Sequence, residues 1–229
     1  MKSQQNTPII DLNNINQKIY EYIKESIIWC EFPPGTKIDV KKLCRDLGVS
    51  YTPVKDALYQ LAGEGLVIIS PRSGTHVRKI TEEDIHEILK VRLYIEKAAV
   101  AEIVPKITDE QLQIIRNKYE KSVSIAVDSQ DTESYKRFLE CDSDLHRTMI
   151  ELAGNKWLSE TYTKLNVHMQ TFRYLILKGT QGKLPTTDRD HKKIVEALFE
   201  RDAEKVEEAV ASHIYNTDAH WSKIGKLQD

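Results

Sequence analysis

Six of the seven histidines lie beyond residue 80, at His86, His146, His168, His191, His213 and His220. Asp142 and His146 are four residues apart. On a helix that step puts a carboxylate and an imidazole on one face, near enough to share a divalent ion. His191 and His213 stand eleven residues before and eleven after Asp202, where the pattern predicts a helical hairpin to turn, so antiparallel pairing brings them level. Ile194, Val195 and Leu198 on one arm, and Val206, Ala209, Val210 and Ile214 on the other, give both histidines apolar neighbours and an inward direction. Polar groups on such faces need partners. Three imidazoles and one carboxylate, with room for water or a ligand, suit Zn²⁺, Ni²⁺, Mn²⁺ or Fe²⁺, with zinc or nickel favoured. Asp144 competes for the carboxylate role, yet only Asp142 keeps the four-residue step to His146. His86, His168 and His220 lack comparable partners and read as structural or exposed.

The elements that must hold these residues are helices. From Thr81 onward strand signals vanish, and amphipathic stretches predict helices near 82–103, 108–128, 132–153, 157–178, 186–200 and 202–222. Thr81 with Asp84 three residues on has the pattern of a capping box. The breaks fall at Pro105–Thr108, Ser129–Asp131, Gly154–Asn155, Gly179–Pro185 and Asp202. Six antiparallel helices over residues 80–225 make a bundle. Mirror pairing about Gly154–Asn155 puts Asn166 level with Asp142 and Tyr162 level with His146, so both are candidates to line a cavity.

Residues 10–79 read differently. Ile15, Ile19, Tyr22, Ile23 and Ile27 predict a first helix from about Asn14 to Glu31, stopped by Phe32-Pro33-Pro34-Gly35. A two-turn helix over Val40–Leu47 is closed by Gly48, suited to the left-handed C-terminal position. Ser50 or Thr52 caps a third helix running to about Glu64, with Pro53 in its first turn. Two β-prone stretches, Leu66–Ser70 and Thr75–Lys79, flank a Pro-Arg-Ser-Gly turn and predict a hairpin. Three helices and a hairpin make a winged helix-turn-helix, so the chain is mainly α with two domains. In that architecture the first turn of the third helix enters the major groove of double-stranded DNA. Here the turn carries Ser50, Tyr51 and Thr52, with Lys55 one turn on. Lys41 and Lys42 on the preceding helix can reach phosphates, and the wing tip offers Arg72, Gly74 and His76.

Bulk properties fit this division. A length of 229 residues suits two domains. The net charge is only −2, but residues 1–80 hold 11 Lys+Arg against 8 Asp+Glu, and the remainder 22 against 27. The basic excess lies where an anionic partner is expected. Three widely spaced cysteines, Cys30, Cys44 and Cys141, argue against a disulfide framework and fit a reducing cytoplasm. No signal-peptide core and no stretch of about 20 apolar residues is seen, so no membrane is expected as a partner.

The segment PPGTKIDVKKLCRDLGVSYTPVKDALYQLAGEGLVIISPRSGTHV resembles the N-terminal domain of GntR-family transcription regulators. That family usually has VSRTPVREAL at its reading helix, whereas this chain has Val49-Ser50-Tyr51-Thr52-Pro53-Val54-Lys55-Asp56-Ala57-Leu58. Two arginines have become Tyr51 and Lys55. Tyrosine cannot make the bidentate contact that arginine makes to guanine, so the operator should differ from the family's usual sites. Residues 82–225 resemble the ligand-sensing FCD domain of the FadR subfamily, through Val91-Arg92-Leu93-Tyr94-Ile95-Glu96, Asp142-Ser143-Asp144-Leu145-His146, Ala153-Gly154-Asn155, His191 and His213. The resemblance implies Asp142, His146, His191 and His213 as metal ligands. It also implies a small-molecule effector, often a carboxylate, beside the metal. A carboxylate would want a guanidinium, so Arg92 and Arg173 join Tyr162 and Asn166 as effector candidates. Family resemblance and operator symmetry imply a homodimer. The alternative from another class is a metal-dependent enzyme acting on a small acid. It lacks an HExxH-type pair, a nucleophile elbow and a phosphate-binding glycine loop.

Overall fold

The computed structural model describes residues 12–128, 132–179 and 188–225. The chain divides into two compact units, Met1–Lys79 and Ile80–Asp229.

In the first unit, α1 (Leu12–Ile28), α2 (Val40–Leu47) and α3 (Tyr51–Gly63) precede an antiparallel hairpin of β1 (Val67–Ser70) and β2 (Gly74–Val77). Ile19, Ile23 and Ile27 of α1 bury against Val54, Ala57, Leu58 and Leu61 of α3, which are spaced for one helical face. A polar clasp fixes the same pair. Tyr20 donates its hydroxyl to Glu64 Oε1 at 2.5 Å, and Lys24 donates to Tyr20 at 2.7 Å and to Glu64 Oε2 at 2.8 Å. The first helix ends earlier than the proline pair requires, at Ile28 rather than Glu31. Cys30 takes a left-handed φ of 53°, and the Phe32 amide turns back to the Ser26 carbonyl, so the chain leaves the helix before Pro33 is reached. Gly48 closes α2 at φ 66°. Asp39 caps its start by accepting the Lys42 amide at 2.9 Å. Ser50 occupies the cap position of α3 but its hydroxyl makes no capping bond. In the wing Val67 pairs with Val77 and Ser70 with Gly74, and Lys37 adds an isolated bridge to His76.

In the second unit six helices follow: α4 (Glu82–Ile103), α5 (Asp109–Asp128), α6 (Thr132–Leu152), α7 (Lys156–Gly179), α8 (Asp188–Glu200) and α9 (Ala203–Gly225). The Thr81–Asp84 capping box opens α4 with both reciprocal bonds formed. Helix α4 packs on α6, α7 and α9, α6 also on α5 and α7, and α8 on α9. A large apolar cluster, including Ile95, Ile103, Leu145, Met149, Tyr162, Ile194 and Val210, fills the bundle. A smaller one joins Ile85, Leu89, Leu93, Met169, Phe172 and Ile214. Both clusters draw on α4, α7 and α9. Among the described residues no helix is long and apolar enough to cross a membrane.

Candidate functional site

His146, His191 and His213 converge. One ligand nitrogen from each lies within 4.8 Å of the others, and their exposures of 1%, 1% and 3% place all three in the interior. His146 Nε2 and His191 Nε2 are 3.1 Å apart. Ring centroids of His191 and His213 are separated by 4.5 Å, so the α8–α9 hairpin does bring this pair level. That hairpin turns on Arg201, which has φ 56°, and on Asp202, which accepts the Lys205 amide.

Asp142 is buried beside them, its Oδ1 3.5 Å from His191 Nε2. Oδ2 accepts a hydrogen bond from Arg173, whereas Oδ1 is buried with no hydrogen-bond partner, as is His213 Nδ1. His146 Nδ1 faces Glu96 Oε2 at 3.0 Å. With an N–H donated from Nδ1 to the carboxylate, Nε2 is the nitrogen left to face a metal, the arrangement a metal-binding histidine needs. Glu96 in turn accepts from Arg92 Nε and Nη2 at 3.0 and 2.8 Å. Two imidazole nitrogens 3.1 Å apart, a third imidazole and an unsatisfied carboxylate oxygen beside them fit a divalent cation.

Electrostatics agree with that fit. Burial pushes His191 down to about 4, and burial with the neighbouring imidazoles holds His213 well below the ordinary histidine value. Both rings therefore stay neutral at pH 7, as ligation requires. Burial pushes the Glu96 carboxyl up, but His146 and Arg92 outweigh it and hold the group at about 2. Asp142 is likewise held well below the usual carboxylate range, with Arg173 the main influence against burial.

The other expected residues fall less evenly. Arg173, not Asn166, stands against Asp142; Asn166 is half-buried on the same stripe of α7. Side chains lean toward the N-terminus of their own helix, so on this antiparallel pair a residue of α7 meets a partner of α6 nearer the loop than mirror symmetry gives, and a long arginine widens the offset. Gln170 donating to Ser143 Oγ at 3.0 Å is offset in the same direction, by less. Tyr162 is buried with Arg92 over its ring at 5.4 Å, and its hydroxyl has no hydrogen-bond partner. Asp144 points away, paired to Lys118 and Arg147. His86 pairs with Asp218, His168 is half-buried on α7, and the His220 side chain lies outside the described residues.

Sequence reasoning gave no site role to Glu96 or Tyr135. Tyr135 sits two turns before Asp142 on α6, its hydroxyl buried and unpartnered, and burial pushes it up to about 12. The signal for Glu96 was available, since a carboxylate between Leu93 and Val100 on a buried face demands a partner.

On the first unit, Lys41, Lys42, Ser50, Tyr51, Thr52, Lys55 and Arg72 are exposed, whereas Gly74 and His76 are half-buried. Tyr51, Lys55 and Tyr59 follow one another at helical spacing along the outer face of α3, with Lys55 Nζ 5.4 Å from the Tyr59 ring centroid. Tyr59 was not anticipated. It is over half exposed, and its register with Lys55 is the signal that could have found it.

Known proteins share both halves of this chain. Residues 15–77 match the family model described as bacterial regulatory proteins, gntR family, and residues 87–216 match the FCD domain model. The chain belongs to the GntR family and carries an FCD domain. Among the relatives of this GntR–FCD chain is the HTH-type transcriptional repressor RspR of Escherichia coli K12, 28% identical over 201 residues, covering 87% of this chain and 86% of that one. Another is the HTH-type regulator YdhC of Bacillus subtilis 168, 25% identical over 208 residues, covering 90% and 91%. The E. coli McbR/YncC structure matches with a TM-score of 0.77 at 19% identity, covering 94% of this chain and 99% of that one, and so supports the fold. This GntR–FCD chain is a DNA-binding transcription regulator with a ligand-binding domain, not an enzyme.

Proposed function

We propose that this is a FadR-type regulator, acting in the cytoplasm as a homodimer, whose grip on a near-palindromic operator is set by a small carboxylate bound beside a divalent metal. The observation that carries the reading is the trio of converging buried imidazoles, with an unsatisfied Asp142 oxygen 3.5 Å from one of them, His191. His146, His191, His213 and Asp142 would hold the ion, a donor set that suits zinc, nickel, manganese or iron, with zinc or nickel favoured. When bound, it supplies a fixed positive centre for an anionic effector.

Arg92 and Arg173 support the effector reading because each is buried at this site and keeps N–H groups beyond those given to Glu96 and Asp142. Tyr162 offers an unpartnered hydroxyl, and Asn166 lines the same stripe of α7. For the DNA surface, the outward Ser50, Tyr51, Thr52 and Lys55 read the groove while Lys41, Lys42 and Arg72 contact phosphates, with Gly74 and His76 shaping the wing.

The test is to select operator sequences from a random DNA pool and compare wild type with Lys55→Ala. The variant should bind more weakly, and its log affinity against log salt should flatten by about 0.9 for each phosphate that is no longer neutralised. Unchanged affinity and slope would contradict the docking. On the effector side, carboxylic acids that raise the melting temperature of the zinc-loaded protein should also change operator affinity. Stabilisation without any change in DNA binding would remove the regulatory link.

A further inference from the structure

The four charged side chains buried at the candidate metal centre cancel. Arg92 is closed on Glu96 at 2.8 Å, and Arg173 is closed on Asp142, all four at 7% exposure or less. The histidines must be neutral to serve as ligands. Another carboxylate on α6, Asp144, is already matched by Lys118 and Arg147 and is half-exposed. A divalent cation entering this set therefore brings two positive charges that no buried group among the described residues offsets. An uncompensated double charge in the interior is strongly unfavourable, so loading the ion calls for anions to enter with it. Hydrogen-bonding capacity for such a guest is present. Tyr135 and Tyr162 each bury a hydroxyl with no partner, and both are close enough to Asp142 and Arg173 to feel their charges.

Resting on the metal reading above, we infer that the loaded centre takes a small dianion, two ionised acid groups on one short chain, and that metal and dianion bind cooperatively. A monoanion leaves one charge unmatched and couples more weakly. Coupling is reciprocal, so the dianion raises metal affinity by the factor by which metal raises dianion affinity.

The experiment measures zinc affinity of the full chain by calorimetry at neutral pH and fixed ionic strength, with malonate or with propionate, which has the same carbon count and half the charge. Malonate should tighten zinc binding by roughly tenfold or more, and propionate by clearly less. Malonate also holds some zinc in solution, which works against the expected result, so a gain cannot arise from that source. Zinc-loaded protein should bind malonate more tightly than metal-free protein by a similar factor. Arg173→Gln removes one buried cation and should shrink the gap between the two anions, whereas Arg173→Lys should retain it. If Arg173→Gln does not fold, the wild-type comparison and Arg173→Lys still decide. Zinc binding that ignores both anions, or responds equally to them, overturns the inference and leaves the metal reading standing. No zinc binding with or without anion overturns both.

Discussion

His146 joins both halves of the candidate centre in one ring. Its Nδ1 is tied to Glu96 and its Nε2 faces His191 at 3.1 Å, so the ring's orientation is set before any ligand arrives. Glu96→Gln should therefore weaken zinc binding by about 10–100-fold, the usual cost of losing a carboxylate behind a ligating histidine, as read by competition with a zinc-sensitive dye. The pH response follows from the same residues. His191 is held at about 4 in the folded chain against 6.5 when free. Below pH 6.5 the unfolded chain takes up a proton that the folded one resists, so stability is full above that pH and declines as pH falls toward 4. Glu96, held at about 2, adds a further loss below about 4.5. Metal-free protein should melt progressively lower as pH drops from 7 to 4, and calorimetry showing a flat melting temperature across that window would contradict the burial of these rings. Spacing in the sequence made Asp142, His146, His191 and His213 legible as a set. Glu96 was missed because Arg and Glu four residues apart usually form a surface pair on a helix, and only burial turns that pair into part of the site.

Helices and their ends were read more surely than cross-helix contacts. Gly48 and the Thr81–Asp84 box rest on local chemistry, and both stand where the residue types put them. Gly48→Ala forces a side chain into a φ of 66° and should cost about 1–2 kcal/mol. Thr81→Ala should cost about 1 kcal/mol through loss of the cap. Urea denaturation followed separately for each unit would register the first in the N-terminal transition and the second in the C-terminal one. The end of α1 illustrates the limit of local reading: Pro33 forbids helix, but the left-handed Cys30 ends it sooner. The Asp142–Arg173 contact illustrates a second limit, because pairing by residue count ignores the lean and length of side chains.

At the scale of the whole molecule the chain joins a DNA-binding unit to a helical FCD unit, with both family models matched in that order. The regulator class was legible because the reading-helix segment is continuous in sequence. The departures at Tyr51 and Lys55 predict an operator with fewer guanine contacts at those positions, which sequence selection on random DNA would reveal as a weaker guanine preference than family members with two arginines there. The FCD unit was less legible, since its candidate site draws Glu96, Asp142, His146, Arg173, His191 and His213 from five helices. The most direct test of the central claim is equilibrium dialysis against buffered zinc followed by metal analysis of wild type and His213→Ala. About one zinc per chain in the wild type, falling below about a tenth in the variant, is the predicted result for a centre built on three imidazoles. Less than about a tenth of an equivalent in the wild type, or equal binding by the variant, would contradict it.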